Sequence, residues 1–210
     1  MHSNDKALRD AHRLELYKRR RVPLTIKIRA VRTYLAGASL RGTAFAMRFD
    51  YPFSHEAVRQ WAHRIAHLFR PTRQKRKTVI VDETTLHDSS GKDVFEWVAI
   101  DDERRHVILV WTTRGRGGLE ALLFMKAVLR RCRNRPFVMV DRGCWYPWAL
   151  TTLGLSWKVQ RGGPRSLVES YFGSLKHRLT RMTRRPRTWH TTRSLTPLLA
   201  LHAWNWNEAR

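Results

Sequence analysis

Two runs of β-branched and apolar residues, TVIVDET at 78–84 and FVMVDRG at 137–143, each end on an aspartate. Such runs read as buried strands. A carboxylate at the end of a buried strand is costly unless something cationic compensates it. Strand ends are also where α/β sheets place their chemistry. The two aspartates, Asp82 and Asp141, are therefore either a site or plain strand caps, and the rest of the chain has to decide between them.

The pattern around them is that of an α/β domain. After TVIVDET come the strand-like runs DVFEWVAID (93–101) and HVILVWTT (106–113), joined by the short turn DERR, which makes them antiparallel neighbours. GGLEALLFMKAVLRRC (117–132) reads as an amphipathic helix, FVMVD returns to strand, and WYPWALTTLG (145–154) is helical after its proline. LSWKVQ (155–160) is a short strand, and GGP (162–164) breaks the chain before a long helix over 166–182. The order is three strands, helix, strand, helix, strand, helix.

The first third reads differently. LTIKIRAVRTYLAG (24–37) carries apolar residues at Ile28, Val31 and Leu35 and stops at Gly37, a good C-cap. Ser39 can cap a shorter helix through Ala44, Phe45 and Met47, and Ser54 can cap SHEAVRQWAHRIAHLF. Val58, Trp61, Ile65 and Leu68 form an apolar stripe on that last helix, with His55, Arg59, His63 and Arg64 largely off it. Three short helices with a basic final face fit a helix-turn-helix module, and a plain three-helix bundle fits them as well. The expected organisation is a DNA-binding module over 1–70, a basic linker over 71–77, a catalytic domain over 78–182 and a helical extension over 183–210.

Charge points to the partner. The 210 residues include 41 Lys and Arg against 17 Asp and Glu, a formal net charge of +24. That excess is an argument for a polyanion and none for a fold. Basic stretches such as RPTRQKRK (70–77) lie between periodic segments, so a folded protein lying along nucleic acid is expected, with a ribosomal or chromatin-like protein as the competing reading. No apolar run reaches membrane-spanning length and the start lacks a signal-peptide core, which makes a cytoplasmic, nucleoid-associated protein the expectation. Cys132 and Cys144 form no CxxC pair, and His63 with His67 lacks further ligands nearby.

Acids are scarce downstream of Glu120, where Asp141, Glu169 and Glu208 complete the set. Glu208 lies close to the end of the sequence, so Glu169 is the expected partner of Asp141, with Asp82 upstream. Three gathered carboxylates repel one another unless divalent cations sit among them. Oxygen-only ligands favour Mg²⁺ or Mn²⁺, and a pair of ions suits in-line displacement at phosphorus. For any single acid, pairing with one of the abundant arginines remains the alternative.

VDET, VDRGCWYPWAL and RSLVESYFGSLKHR together resemble the D-D-E core of transposases with a ribonuclease-H-like fold, of the insertion sequence family six group. The resemblance spans roughly residues 24–182. It implies an α/β ribonuclease-H-like catalytic domain preceded by an all-α helix-turn-helix module. It also implies Asp82, Asp141 and Glu169 as metal-binding catalytic acids, and Lys176 as a basic partner seven residues past the glutamate. Seven residues bring Lys176 back to within about 20° of the Glu169 face of a helix. DNA contacts are then expected from His55, Arg59, His63, Arg64, Arg73, Lys75, Arg76, Lys77, Lys176 and Arg178. The implied function is binding of an element's terminal inverted repeats, with metal-dependent strand cleavage and transfer in a homodimer or larger assembly. Two features depart from the family: 27 residues separate Asp141 from Glu169, fewer than usual, and Arg142 stands where a glycine is usual. The alternative is a non-catalytic helix-turn-helix DNA-binding protein or an inactive transposase remnant.

Overall fold

The computed structural model describes residues 6–13, 21–88, 90–160, 165–182 and 192–210. Among them are helices α1 (Lys6–Arg13), α2 (Leu24–Leu35), α3 (Leu40–Ala46) and α4 (His55–Ala66), followed by strands β1 (Thr78–His87), β2 (Asp93–Asp101) and β3 (Val107–Thr113). Next come α5 (Gly118–Leu129), β4 (Phe137–Val140), α6 (Tyr146–Thr152), β5 (Trp157–Val159), α7 (Arg165–Met182) and α8 (Thr192–Glu208).

The strands form one mixed sheet in the order β3-β2-β1-β4-β5. β1, β2 and β3 are antiparallel neighbours, whereas β4 and β5 run parallel to β1. A mixed α/β protein with this five-stranded sheet fits the ribonuclease-H-like domain expected from the sequence. Alternation sorts the side chains of the central strand to two cores. Val79 and Val81 join Val138 and Val140 under α5 and α6, around Trp97, Phe124 and Tyr146. Ile80, Val98 and Ile100 meet Leu167, Val168, Tyr171 and Phe172 of α7 and Trp206 of α8 on the opposite face. Burying each such large side chain is worth about 1.5–3 kcal/mol, which holds α7 across the sheet.

The N-terminal helices follow their capping signals. The Ser39 hydroxyl accepts from Gly42 N–H at 2.9 Å and Ser54 from Ala57 N–H at 3.2 Å. Gly37 adopts φ 112°, the left-handed conformation that ends α2 at little steric cost. Val58, Trp61 and Ile65 of α4 are buried against Ile28, Val31 and Leu35 of α2, and Leu201 and Trp204 of α8 enter the same core. The C-terminal helix thus packs on both the N-terminal helices and the sheet. Its Asn207 side chain also pairs with the backbone of Val107, accepting from N–H at 2.8 Å and donating to the carbonyl at 2.9 Å. That contact covers the start of edge strand β3, where open backbone groups would otherwise invite pairing with another chain.

Residues 71–77, expected as a basic linker, are stitched to the connection between α5 and β4. Gln74 bridges Cys132, and the Asn134 side chain bonds both backbone groups of Arg76. The segment alternates like a strand, so Lys75 and Lys77 are exposed while Arg76 turns inward. Arg76 is 2% exposed and forms an ion pair with Asp101, which corrects its assignment as a DNA contact. Among the described residues, no helix is long and apolar enough to cross a membrane.

Candidate metal centre

The site is built by strand register. In the parallel β1–β4 pair Ile80 stands beside Met139, and Asp82 and Asp141 each follow two residues later. The two carboxylates are therefore level on adjacent strands and share the face occupied by Ile80 and Met139. β4 ends at Val140 while β1 continues to His87, so the sheet opens between them at this level. The crevice there is lined by Ile80, Asp82, Met139, Asp141, Gln160 and Val168.

Each aspartate is held by local backbone. Asp82 accepts from Glu83 N–H at 2.9 Å, and Asp141 accepts from Gly143 N–H at 2.8 Å. Gly143 also leaves room for its neighbour. A Cβ there would lie 2.6 Å from the Trp145 indole, which closes over the turn.

Glu83 is the residue that sequence reasoning missed. Oxygens of Asp82, Glu83 and Asp141 lie within 4.8 Å of one another, and all three residues are partly buried. One Glu83 oxygen accepts from the Tyr146 hydroxyl and from Trp145 Nε1 at 3.4 Å. The Arg116 guanidinium lies 3.8 Å from the other oxygen and stacks over Trp145 at 4.5 Å. Burial pushes the Glu83 carboxyl above its ordinary range, as does the negative charge of Asp141, against the hydrogen bonds from Tyr146 and Trp145. Simple alternation turns Glu83 away from the Asp82 face, which is why the VDET run suggested one acid there. The available signal was Tyr146 of the YPWAL run, a buried hydroxyl that needs an acceptor.

The donor set is hard oxygen from carboxylates, and the like charges in so small a space favour a bound divalent cation. Mg²⁺ or Mn²⁺ fits this chemistry. Among the described residues, this is the one cluster of metal-ligating side chains.

Glu169 lies outside that set. It is an exposed residue of α7, next to Val168, whose side chain lines the crevice between the two aspartates. The chain just before α7, over 161–164, is outside the described residues. Lys176 is exposed on the same helix, and its charge acts on buried Glu96 of β2.

The other expected DNA contacts divide into exposed and engaged. His55, Arg59 and Arg64 are exposed on α4, and His63 is half-buried, its imidazole pushed down by burial and by Arg59. Arg59 is clamped to Glu56 through two hydrogen bonds. Arg73 donates to the Cys132 carbonyl at 3.0 Å. Arg178 donates to the Leu35 carbonyl and is pushed down by burial, so it ties α7 to the end of α2. The carbonyl-rich C-terminus of a helix is a natural seat for a guanidinium.

Fold and cluster together give a mixed α/β protein with a five-stranded mixed sheet and a carboxylate cluster at the β1–β4 opening. No family model matches the chain. Uncharacterized protein MJ0017 of Methanocaldococcus jannaschii is 38% identical over 165 residues, covering 78% of this chain and 77% of that protein. The chain belongs to the same family as that protein. Among solved structures, the catalytic core domain of BIV integrase is 17% identical with a TM-score of 0.42, covering 58% of this chain and 80% of that one. A simian T-cell lymphotropic virus intasome in complex with PP2A regulatory subunit B56 gamma is 18% identical with a TM-score of 0.48. It covers 75% of this chain and 63% of that one.

Proposed function

We propose that the protein is a DNA transposase of the insertion sequence family six type, which binds element ends and catalyses metal-dependent strand cleavage and strand transfer. The observation that carries this reading is the parallel β1–β4 register, which sets Asp82 and Asp141 side by side with carboxylate oxygens in common reach. A net charge of +24 supports a polyanionic substrate. Two divalent ions held there would supply electrophilic stabilisation and a more acidic attacking hydroxyl.

The chain's own residues divide the remaining work. Asp82 and Asp141 hold the cations from adjacent strands. Glu169 supplies the third carboxylate from α7, reached by rotation of its exposed side chain toward the crevice that its neighbour Val168 already lines. Glu83 is a positioning residue, since its oxygens are already engaged by Tyr146, Trp145 and Arg116. It ties α6, and with it the Asp141 turn, to β1. Residues 1–70 act as the helix-turn-helix reader, with His55 and Arg64 of α4 toward DNA, and Lys176 faces the strand to be cut. Two copies pair the two ends in a homodimer or larger assembly.

Cleavage of a labelled duplex carrying the element's terminal repeats, in Mg²⁺ or Mn²⁺, tests the proposal. Asp82→Asn, Asp141→Asn and Glu169→Gln should each lower the rate by about a thousandfold or more while leaving DNA binding in place. Glu83→Gln should lower it by about tenfold, because positioning is weakened and no ligand is lost. A dead Glu83→Gln beside an active Glu169→Gln would move the third ligand to Glu83. A wild type that binds repeats and cuts in neither metal would be the non-catalytic DNA-binding protein or inactive remnant.

A further inference from the structure

The most exposed large apolar side chains of the N-terminal helices sit together, at the turn between α3 and α4. Phe45 is 65% exposed and Phe49 is 88% exposed. The Arg48 guanidinium lies over both rings, 3.9 Å from the Phe45 centroid and 4.5 Å from that of Phe49. Arg41 is exposed one turn before Phe45 on α3, and both run into Arg48 and Phe49 on the turn that ends the helix, as one exposed stripe. The opposite side of the same segment is packed, with Thr43 and Met47 buried. The apolar residues of this helix thus serve two faces, and packing accounts for only one of them.

We propose that Phe45, Arg48 and Phe49 form a stacking surface for unpaired bases of a DNA partner. The proposal rests on the DNA-binding reading above and adds to it the kind of DNA engaged. A base offers a flat π face to an open phenyl ring, and its phosphate suits the guanidinium alongside. The stripe pairs open rings with cationic side chains, and the neighbouring acid, Asp50, is taken up by Arg29. This charge matches a polyanion and disfavours the basic surface of a second copy of this +24 chain. The surface lies one short loop before α4, whose exposed His55 and Arg64 would follow the adjacent duplex. Rings in this place engage bases that have left the stack, as they do where a duplex is opened near a cut.

Fluorescence anisotropy with the full chain in metal-free buffer tests this on two labelled duplexes, one fully paired and one with a central bubble of unpaired thymines. The wild type should bind the bubble about tenfold more tightly than the paired duplex. Phe45→Ala with Phe49→Ala should remove that preference and leave affinity for the paired duplex and its salt dependence unchanged. Phe45→Trp with Phe49→Trp should restore it. Arg48→Ala should instead reduce the log–log salt slope by about one on the bubble. A double alanine variant that keeps the bubble preference overturns the proposal. So does a wild type that binds both duplexes equally, which would leave the rings to a protein partner. Failure to bind either duplex would remove the DNA reading itself, and the stacking surface with it.

Discussion

Carboxylates stand near both ends of the short β1–β4 pairing, and the two ends treat them in opposite ways. At one end Asp101, opposite Val79, is fully buried and closed by guanidinium groups. Arg76 pairs with it inside the protein, Arg104 approaches to 3.6 Å, and the Arg104 N–H donates at 3.1 Å. At the other end Asp82 and Glu83 meet Asp141, and three carboxylates share a space 4.8 Å across. Arginine is abundant in this chain, so a structural acid is readily given one. Acids gathered on acids, at a point where the sheet opens, offer hard oxygen donors that a divalent cation could use. The contrast separates an acid that an arginine closes inside the fold from acids that lie beside one another where the sheet opens.

Breaking the closed end should have the largest effect on stability. Arg76→Met leaves Asp101 charged and buried without its partner and is expected to cost about 3–5 kcal/mol, read from urea unfolding. Adding Asp101→Leu should recover much of that loss, because the uncompensated charge goes with it. Asp82→Asn at the open end should not lower the unfolding midpoint in metal-free buffer, since it removes a repelling charge. Equal losses at the two ends would dissolve the distinction.

Glu96 of β2, opposite Thr84 just beyond the open end, sharpens the comparison. It is fully buried, one oxygen accepts from the Tyr171 hydroxyl at 3.2 Å, and the other has no hydrogen bond. Burial pushes its pKa up to about 8, against the pull of Tyr171 and Lys176. The folded protein therefore holds a proton that the unfolded chain releases near pH 4.5. Stability from this group is complete below that pH, falls as pH rises toward about 8, and is flat beyond. Glu96→Gln should remove the decline and gain on the order of 2 kcal/mol at pH 8. Nearby His202 has the opposite sign. Burial pushes it down to about 3, so it costs stability as pH falls from about 6.5 toward that value. Thermal melts of wild type and Glu96→Gln from pH 4 to 9 would show whether the alkaline limb flattens.

The smallest effect expected is metal stabilisation at the open end. Mg²⁺ or Mn²⁺ at tenfold over its dissociation constant should add about 1.4 kcal/mol, a few degrees in Tm. Asp141→Asn should abolish the shift, and Arg76→Met should keep it in whatever fraction remains folded. A shift unchanged in Asp141→Asn would place the cation elsewhere.

Much of the fold was legible because it depends on local periodicity. Strand and helix order, the caps at Ser39 and Ser54 and the DERR hairpin all follow from residues close in sequence. Asp82 and Asp141 were legible for the same reason, as the ends of unbroken apolar runs. Arg76 was misread, and the bond of Arg178 to the end of α2 was not seen, because a sequence displays an arginine's charge and hides its partner. Those partners, Asp101 and the Leu35 carbonyl, lie 25 and 143 residues away. The exposure of Phe45 was not legible, because apolarity marks burial only on average and a short helix with one packed face leaves its other apolar residues in water.

By itself the sequence determined the apolar runs, the acids that close them and the basic character of the chain. These are properties of composition and of spacing within one element. Tertiary structure alone decided that Asp82 and Asp141 stand level on parallel neighbours and that Glu83 joins them under Tyr146. It also decided that α8 ties the N-terminal helices to the sheet. Register, alternation and helix docking act between distant segments, and the free energy that selects them comes from burial shared across the whole core, which no single stretch of sequence contains.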